Sequence, residues 1–330
     1  MPTAPTAGLA SSSATAAAVR VPASFFSIVL GVGGLSAAWD AASRSFGVSP
    51  WLSDALLVLS AVLWVVFFVA QVVKAAAAPE RLRAELGHPV EGSLAALAPA
   101  SLLAIAAGAS IHYRDLARVL FWIGATAQVV HGVWAVGGWL AKRVDPKLVT
   151  PAMYVPAAVG NLLVAIAAAA ADRSDTGWLF FGAGVVGWLV LAAVLLVRSF
   201  SDGELAPALR PLQALELAPP AFALVAWHSL GGGVSEPTSR ALLGVALFVG
   251  LVLVRLAGRF RDVPFTASWW AFTFPVAALS TAVLRMSASA PGSIAADIAL
   301  PLFVIANALV AAIAYKTLVA LSRGDLARPA

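Results

Sequence analysis

Long apolar runs alternate with short polar breaks along the whole chain. Runs at 22–43, 51–74, 92–111, 115–141, 153–172, 175–199, 211–230, 237–260, 266–286 and 293–320 each supply the stretch of about 20 apolar residues that carries a helix across a bilayer. The runs are continuous rather than alternating residue by residue, so they predict helices and not a membrane β-barrel. The expectation is an all-α integral membrane protein with ten transmembrane helices.

Proline divides the runs into two kinds. Odd-numbered runs carry it at or inside the apolar stretch: Pro22, Pro99, Pro156, Pro219 with Pro220, and Pro275. Even-numbered runs lack it mid-span, apart from Pro237 at the start of the eighth and Pro301 in the tenth. Proline removes a backbone donor and bends a helix. In a membrane the freed carbonyls need a neighbouring helix or a wet cavity. Recurrence in all five odd runs predicts five helical hairpins, each with one bent member, and the bent members gathered around a central path.

Composition fixes the solvent. Hydrophobic residues make up 61% of the 330 positions and charged residues 11%, against roughly 25% charged in soluble domains. The net charge of +5 is not a nucleic-acid footprint, because the basic residues sit in short breaks without interleaved aromatics. One set of alternate breaks holds 15 of the 21 Lys and Arg and the other holds six. That asymmetry predicts both termini on the cytoplasmic side of a bacterial-type inner membrane. There is no cysteine, so disulfides, thiolate metal sites and cysteine nucleophiles are excluded. Residues 1–20 are Ala, Ser, Thr and Pro with little else and predict a disordered N-terminal tail, without the basic start of a signal peptide. The transmembrane domain is expected over 21–321, and 322–330 as a short cytoplasmic C-terminal tail.

Five stretches, VPASFFSIVLGVGG, ELGHPVEGS, YVPAAVGN, DGELAPALRPLQALELAPP and FTASWWAFTFP, occur in order along the chain. Together they resemble the tellurite-resistance/dicarboxylate transporter family, which includes bacterial tellurite-resistance membrane proteins, the fungal malate permease and plant guard-cell slow anion channels. The resemblance implies ten helices as five hairpins, the odd helices forming an inner ring around a central pore, and homotrimers with a pore in each protomer. It also implies a phenylalanine on the ninth helix that plugs the pore. Phe274, directly before Pro275, matches that position best; Phe272 points elsewhere on a helix. Pro22, Phe26, Pro99, Pro156, Asn161, Pro219, Pro220 and Pro275 are the candidate pore-lining positions.

The residues narrow the chemistry further. Transferring a bare anion into low dielectric is prohibitive, while conduction requires weak binding. Few full charges fall within the odd runs, which predicts a nearly neutral path for small monovalent anions such as chloride and nitrate. A proton-coupled C4-dicarboxylate carrier, or an exporter of tellurite or sulfite, is the alternative. Glu216, four residues before Pro220, is either a proton carrier or a rim acid facing water. Asn161 either lines the path or satisfies carbonyls freed by Pro156. His88, before Pro89, reads as an interfacial cap. His112, His131 and His228 have no metal-ligand spacing, and Gln71, Gln128 and Asn307 read as hydrogen bonds between helices. VLGVGG lies in a membrane run, so it fits close packing or room beside the path rather than a dinucleotide loop. No catalytic constellation, metal site or cofactor motif is present; the expected partners are inorganic or organic-acid anions and the bilayer.

Overall fold

A computed structural model describes residues 18–141, 144–201, 203–233 and 236–323. Most of the two expected tails, 1–17 and 324–330, therefore lies outside the described residues. Among the described residues the backbone is helical with no strand. The α-helices are α1 (Phe26–Phe46), α2 (Trp51–Ala77), α3 (Pro79–Gly87), α4 (Pro89–Ala95), α5 (Leu97–Ala109), α6 (Arg114–Ala141), α7 (Gly160–Ala170), α8 (Ser174–Ser201), α9 (Ala218–Ser229), α10 (Pro237–Leu256), α11 (Thr273–Ser289) and α12 (Ile294–Ser322).

Among the described residues nine continuous helical segments are long and apolar enough to cross a membrane. The run expected at 211–230 takes a different form. An eleven-residue 3-10 segment, Pro207–Leu217, leads into the twelve-residue α9. Pro219 and Pro220 give no N–H to Leu215 and Glu216, and Pro211 interrupts the preceding turn, so α-helical pairing cannot extend backward from α9. At about 2.0 Å per 3-10 residue and about 1.5 Å per α residue, the two pieces have a contour of about 40 Å.

The other proline-bearing segments also leave regular α geometry near their prolines. A 3-10 turn, Ala23–Phe25, follows Pro22; the chain breaks at Ala96 between α4 and α5, close to Pro99. A π-turn, Val155–Val159, holds Pro156, and a 3-10 segment, Ala267–Phe272, precedes Pro275. Other ends are set by ordinary caps. Gly47 closes α1 in the left-handed region at φ 69°, and Ser293 Oγ caps α12. His88 Nδ1 accepts the Val90 and Glu91 N–H groups at the start of α4.

Burial separates the helices into two classes. In Ala23–Phe46, Pro89–Ala109, Pro151–Ala170 and Ala267–Ser289, 72–83% of the most apolar window is buried, and Ala218 to Ala226 of α9 is buried throughout. In the segments built on α2, α6, α8, α10 and α12 the share is 11–28%. Their outer faces show Val58, Val62, Val133, Leu189, Leu251 and Val304. An exposed apolar face of this extent is not suited to water and matches lipid. Each buried segment packs against the exposed one that follows it, and α1, α5, α7, α9 and α11 also pack on one another.

The glycines of VLGVGG explain the tightest of these contacts. A Cβ on Gly31 would lie 2.2 Å from Thr273 Oγ1, and one on Gly34 would lie 3.2 Å from the Ala277 Cβ. These positions let α1 lie directly on α11. Polar side chains tie other helices together. Ser60 Oγ donates to the Val29 carbonyl, Trp39 Nε1 to Asn307 Oδ1, and Gln128 Nε2 to the Pro156 carbonyl.

Candidate functional site

Three cavities follow one another through the buried helices. The widest, about 460 Å³, lies between Ala41 and Arg44 of α1, Ala107 of α5, Ile166 and Ala169 of α7, His228 and Ser229 of α9, and Arg285 of α11. A narrower chamber of about 100 Å³ shares Ala107, Ile166 and Arg285 with it. It continues past Gly34 and Ala37 of α1, Ala104 of α5, Leu163 of α7 and Thr281 of α11 to Phe222 of α9. The third, about 10 Å³, is bounded by Ser24, Ser27, Leu94, Leu97, Leu212, Ala271 and Phe274 among others.

The order of the three is fixed by the chain itself. Along α1 the lining positions run from Arg44 and Ala41, through Ala37 and Gly34, to Ser27 and Ser24. Along α11 they run from Ser289 and Arg285, through Thr281 and Ala278, to Phe274 and then Ala271. The segments containing α5 and α9 repeat the sequence. Side chains from all five buried segments meet at the middle chamber.

Phe274 stands where the series is interrupted. Its side chain is 1% exposed and borders the smallest cavity, while Phe222 borders the chamber on the other side. The two rings lie 6.3 Å apart between centroids at 43°. No cavity described here spans the pair. Phe272 faces outward, against Phe260 and Trp269, so the two candidate phenylalanines separate as helical geometry requires.

The prolines shape this arrangement through the backbone. Pro22, Pro99, Pro156, Pro219, Pro220 and Pro275 line none of the three cavities. Phe26 is fully buried, and its ring packs on Trp64 and Phe67 of α2. Asn161 Nδ2, in the first turn of α7, donates to the Ala157 carbonyl of the preceding π-turn at 2.9 Å. Glu216 Oε2 accepts from Tyr154 Oη at 2.8 Å. The same glutamate borders a side cleft of about 180 Å³ with Arg198, Val249 and Leu253, which shares no residue with the axial series. Among the described residues no group of His, Cys, Asp or Glu is placed to hold a metal ion.

The cavity bordered by Phe274 has no charged lining residue, and the two larger ones do. Arg285 lies at the junction of the two larger cavities, where its Nη1 donates to Ser229 Oγ at 3.0 Å. Asp40 and Asp54 also border the chamber; Asp40 pairs with Arg44, and Asp54 with His112 at 2.9 Å. The expected run 266–286 contains Arg285, whose inward orientation the apolar pattern does not mark. The signal was present in the spacing: Phe274, Ala278, Thr281 and Arg285 stand at i, i+4, i+7 and i+11, one face of one helix.

Comparison with known proteins places the chain in a family. The SLAC1 family profile, described as voltage-dependent anion channel, matches residues 20–318. The chain is 28% identical over 309 residues to the tellurite resistance protein TehA homolog of Haemophilus influenzae, covering 92% of each chain. It is 29% identical over 189 residues to the guard cell S-type anion channel SLAC1 of Arabidopsis thaliana, covering 57% of this chain and 33% of the plant one. With the S-type anion channel SLAH3 of the same plant the figures are 25% over 312 residues, 91% and 48%. The chain thus spans about half or less of the length of these plant channels.

Proposed function

The chain belongs to the SLAC1 family of voltage-dependent anion channels, multi-pass membrane proteins of anion transport and not enzymes, and from that premise we propose that it passes small monovalent anions, chloride and nitrate among them, through a path inside each protomer that Phe274 stoppers. The path is the axial series of three cavities. The observation that carries the reading is the interruption of that series at the Phe222–Phe274 pair.

Several features support it. Alanine, glycine and leucine dominate the lining, and the narrow space beside Phe274 carries no charged residue; an ion that binds weakly can leave. Arg285 at the wide mouth raises the local anion concentration before the narrow part. Residues 21–321 form the transporting unit, with ten crossings arranged as five hairpins and the buried members as an inner ring. The 3-10 segment and α9 together have contour enough for the tenth crossing. The Lys and Arg asymmetry supports cytoplasmic termini in an inner membrane. Family resemblance supports a homotrimer.

The wide mouth favours one second reading. A cavity of about 460 Å³ with two arginines admits an organic dianion, as a C4-dicarboxylate carrier coupled to protons requires. Purified protein in liposomes separates the two. Anion flux is measured with and without a proton gradient, for the wild type and for Phe274→Ala. Gradient-independent flux that rises strongly in the variant is the expected result. Flux that needs the gradient supports the carrier, and unchanged flux in Phe274→Ala removes the stopper.

A further inference from the structure

The smallest cavity contains an unused hydrogen-bond donor. Ser27 is 5% exposed, its Oγ is sealed from solvent, and it has no hydrogen-bond partner among the described residues. Several buried serines and threonines in this chain donate to a carbonyl three or four residues earlier in their own helix. Thr281 does so to Ala277, Thr317 to Ile313 and Ser287 to Leu284. For Ser27 the carbonyl four residues back belongs to Ala23, in the 3-10 turn, and the hydroxyl is not bonded to it. Ser280 Oγ is also unpartnered, but Ser280 borders none of the three axial cavities.

Three serines border this cavity, and Ser27 is the buried one whose hydroxyl is unpartnered. Leu94, Leu97, Leu212, Leu215 and Ala271 form the apolar wall. Ser268 Oγ is engaged with Thr266 Oγ1 at 2.7 Å, and Ser24 is half-buried one turn before Ser27. At about 10 Å³ the space holds a single water-sized occupant. Phe274 forms one boundary, so turning its ring aside would join this space to the chamber beyond.

We propose that the Ser27 hydroxyl coordinates a small, partly dehydrated monovalent anion on the side of Phe274 away from Arg285, and so sets the preference among permeant anions. The proposal rests on reading the cavity series as an anion path. Helical N–H groups are committed to their own carbonyls, so a hydroxyl is what this wall can offer in place of lost hydration. A single donor compensates a compact ion such as chloride more than a diffuse one such as iodide or thiocyanate, because the charge-assisted bond strengthens with charge density. Ser27 therefore favours chloride beyond the order set by ease of dehydration.

The test uses the full chain in a Phe274→Ala background, with bi-ionic reversal potentials recorded in planar bilayers. Adding Ser27→Ala is expected to lower the chloride-to-iodide permeability ratio by about tenfold, the effect of one hydrogen bond to a charged partner. Ser27→Thr keeps the hydroxyl and retains the ratio. Ser27→Cys, a weaker donor of similar shape, gives an intermediate value and serves also if the alanine variant does not fold. Current in Phe274→Ala with a ratio unmoved by Ser27→Ala and Ser27→Cys overturns this proposal alone. Absence of anion current in Phe274→Ala overturns the stopper reading and this proposal with it.

Discussion

Glu85 Oε1 accepts the backbone N–H of Ala23 at 2.6 Å across 62 residues of sequence. Ala23 opens the first turn of the segment leading into α1, and Pro22 before it has no side chain able to cap that turn. A carboxylate borrowed from α3 therefore does what an N-cap residue does elsewhere. The other oxygen of Glu85 accepts from Lys74 Nζ at 2.7 Å. Lys74 and Gln71 of α2 both donate to the Val21 carbonyl. One buried ion pair thus joins the start of α1, the end of α2 and the polar helix α3.

Removing half of that pair should be worse than removing both charges. Lys74 is 1% exposed, so Glu85→Ala strands a buried ammonium and is expected to cost about 3–5 kcal/mol. The double variant Lys74→Met, Glu85→Gln removes both charges and keeps an acceptor for the Ala23 N–H. It should recover most of the loss. Thermal unfolding in detergent micelles reads both effects, and a double variant as unstable as the single one would refute the pairing argument.

Gly31→Ala tests the contact between α1 and α11. Its new methyl would meet Thr273 Oγ1 at 2.2 Å and Trp270 Cε3 at 3.0 Å. Neither neighbour moves freely: Thr273 Oγ1 donates to the Trp270 carbonyl at 2.7 Å, and Trp270 Nε1 donates to Thr317 Oγ1 at 2.9 Å. Overpacking of this kind costs about 1–3 kcal/mol. The same variant should shift basal anion flux, because Thr273 adjoins Phe274. Unchanged melting temperature and unchanged flux together would show that the helices separate easily here.

Arg285→Gln should lower anion flux through Phe274→Ala protein by roughly tenfold at low ionic strength, since a focused positive charge raises local anion concentration by that order or more. The deficit should shrink toward 150 mM salt, where the Debye length is about 8 Å. Liposome flux at two salt concentrations checks it. A deficit independent of salt would mean that Arg285 acts through its bond to Ser229 Oγ and not through its charge.

The membrane-crossing helices were legible because the bilayer demands one simple thing, a long apolar run. The effect of the prolines was half legible. Bends were expected, yet at Pro219 and Pro220 the preceding eleven residues form a 3-10 helix, a choice local sequence does not announce. Orientation around each helix was the hard part. In a chain apolar on every side, no polar stripe marks the inward face, so Phe26 reads as well as Phe274 for a lining residue although it packs on α2. Long-range partners such as Glu85 for Ala23 are invisible to any window of sequence.

The two rings that interrupt the cavity series hang from different helices, Phe222 from α9 and Phe274 from α11. Each sits beside a proline at the start of its helix, Pro220 two residues before Phe222 and Pro275 one after Phe274. A change that re-aims either entry turn therefore displaces a ring without touching it.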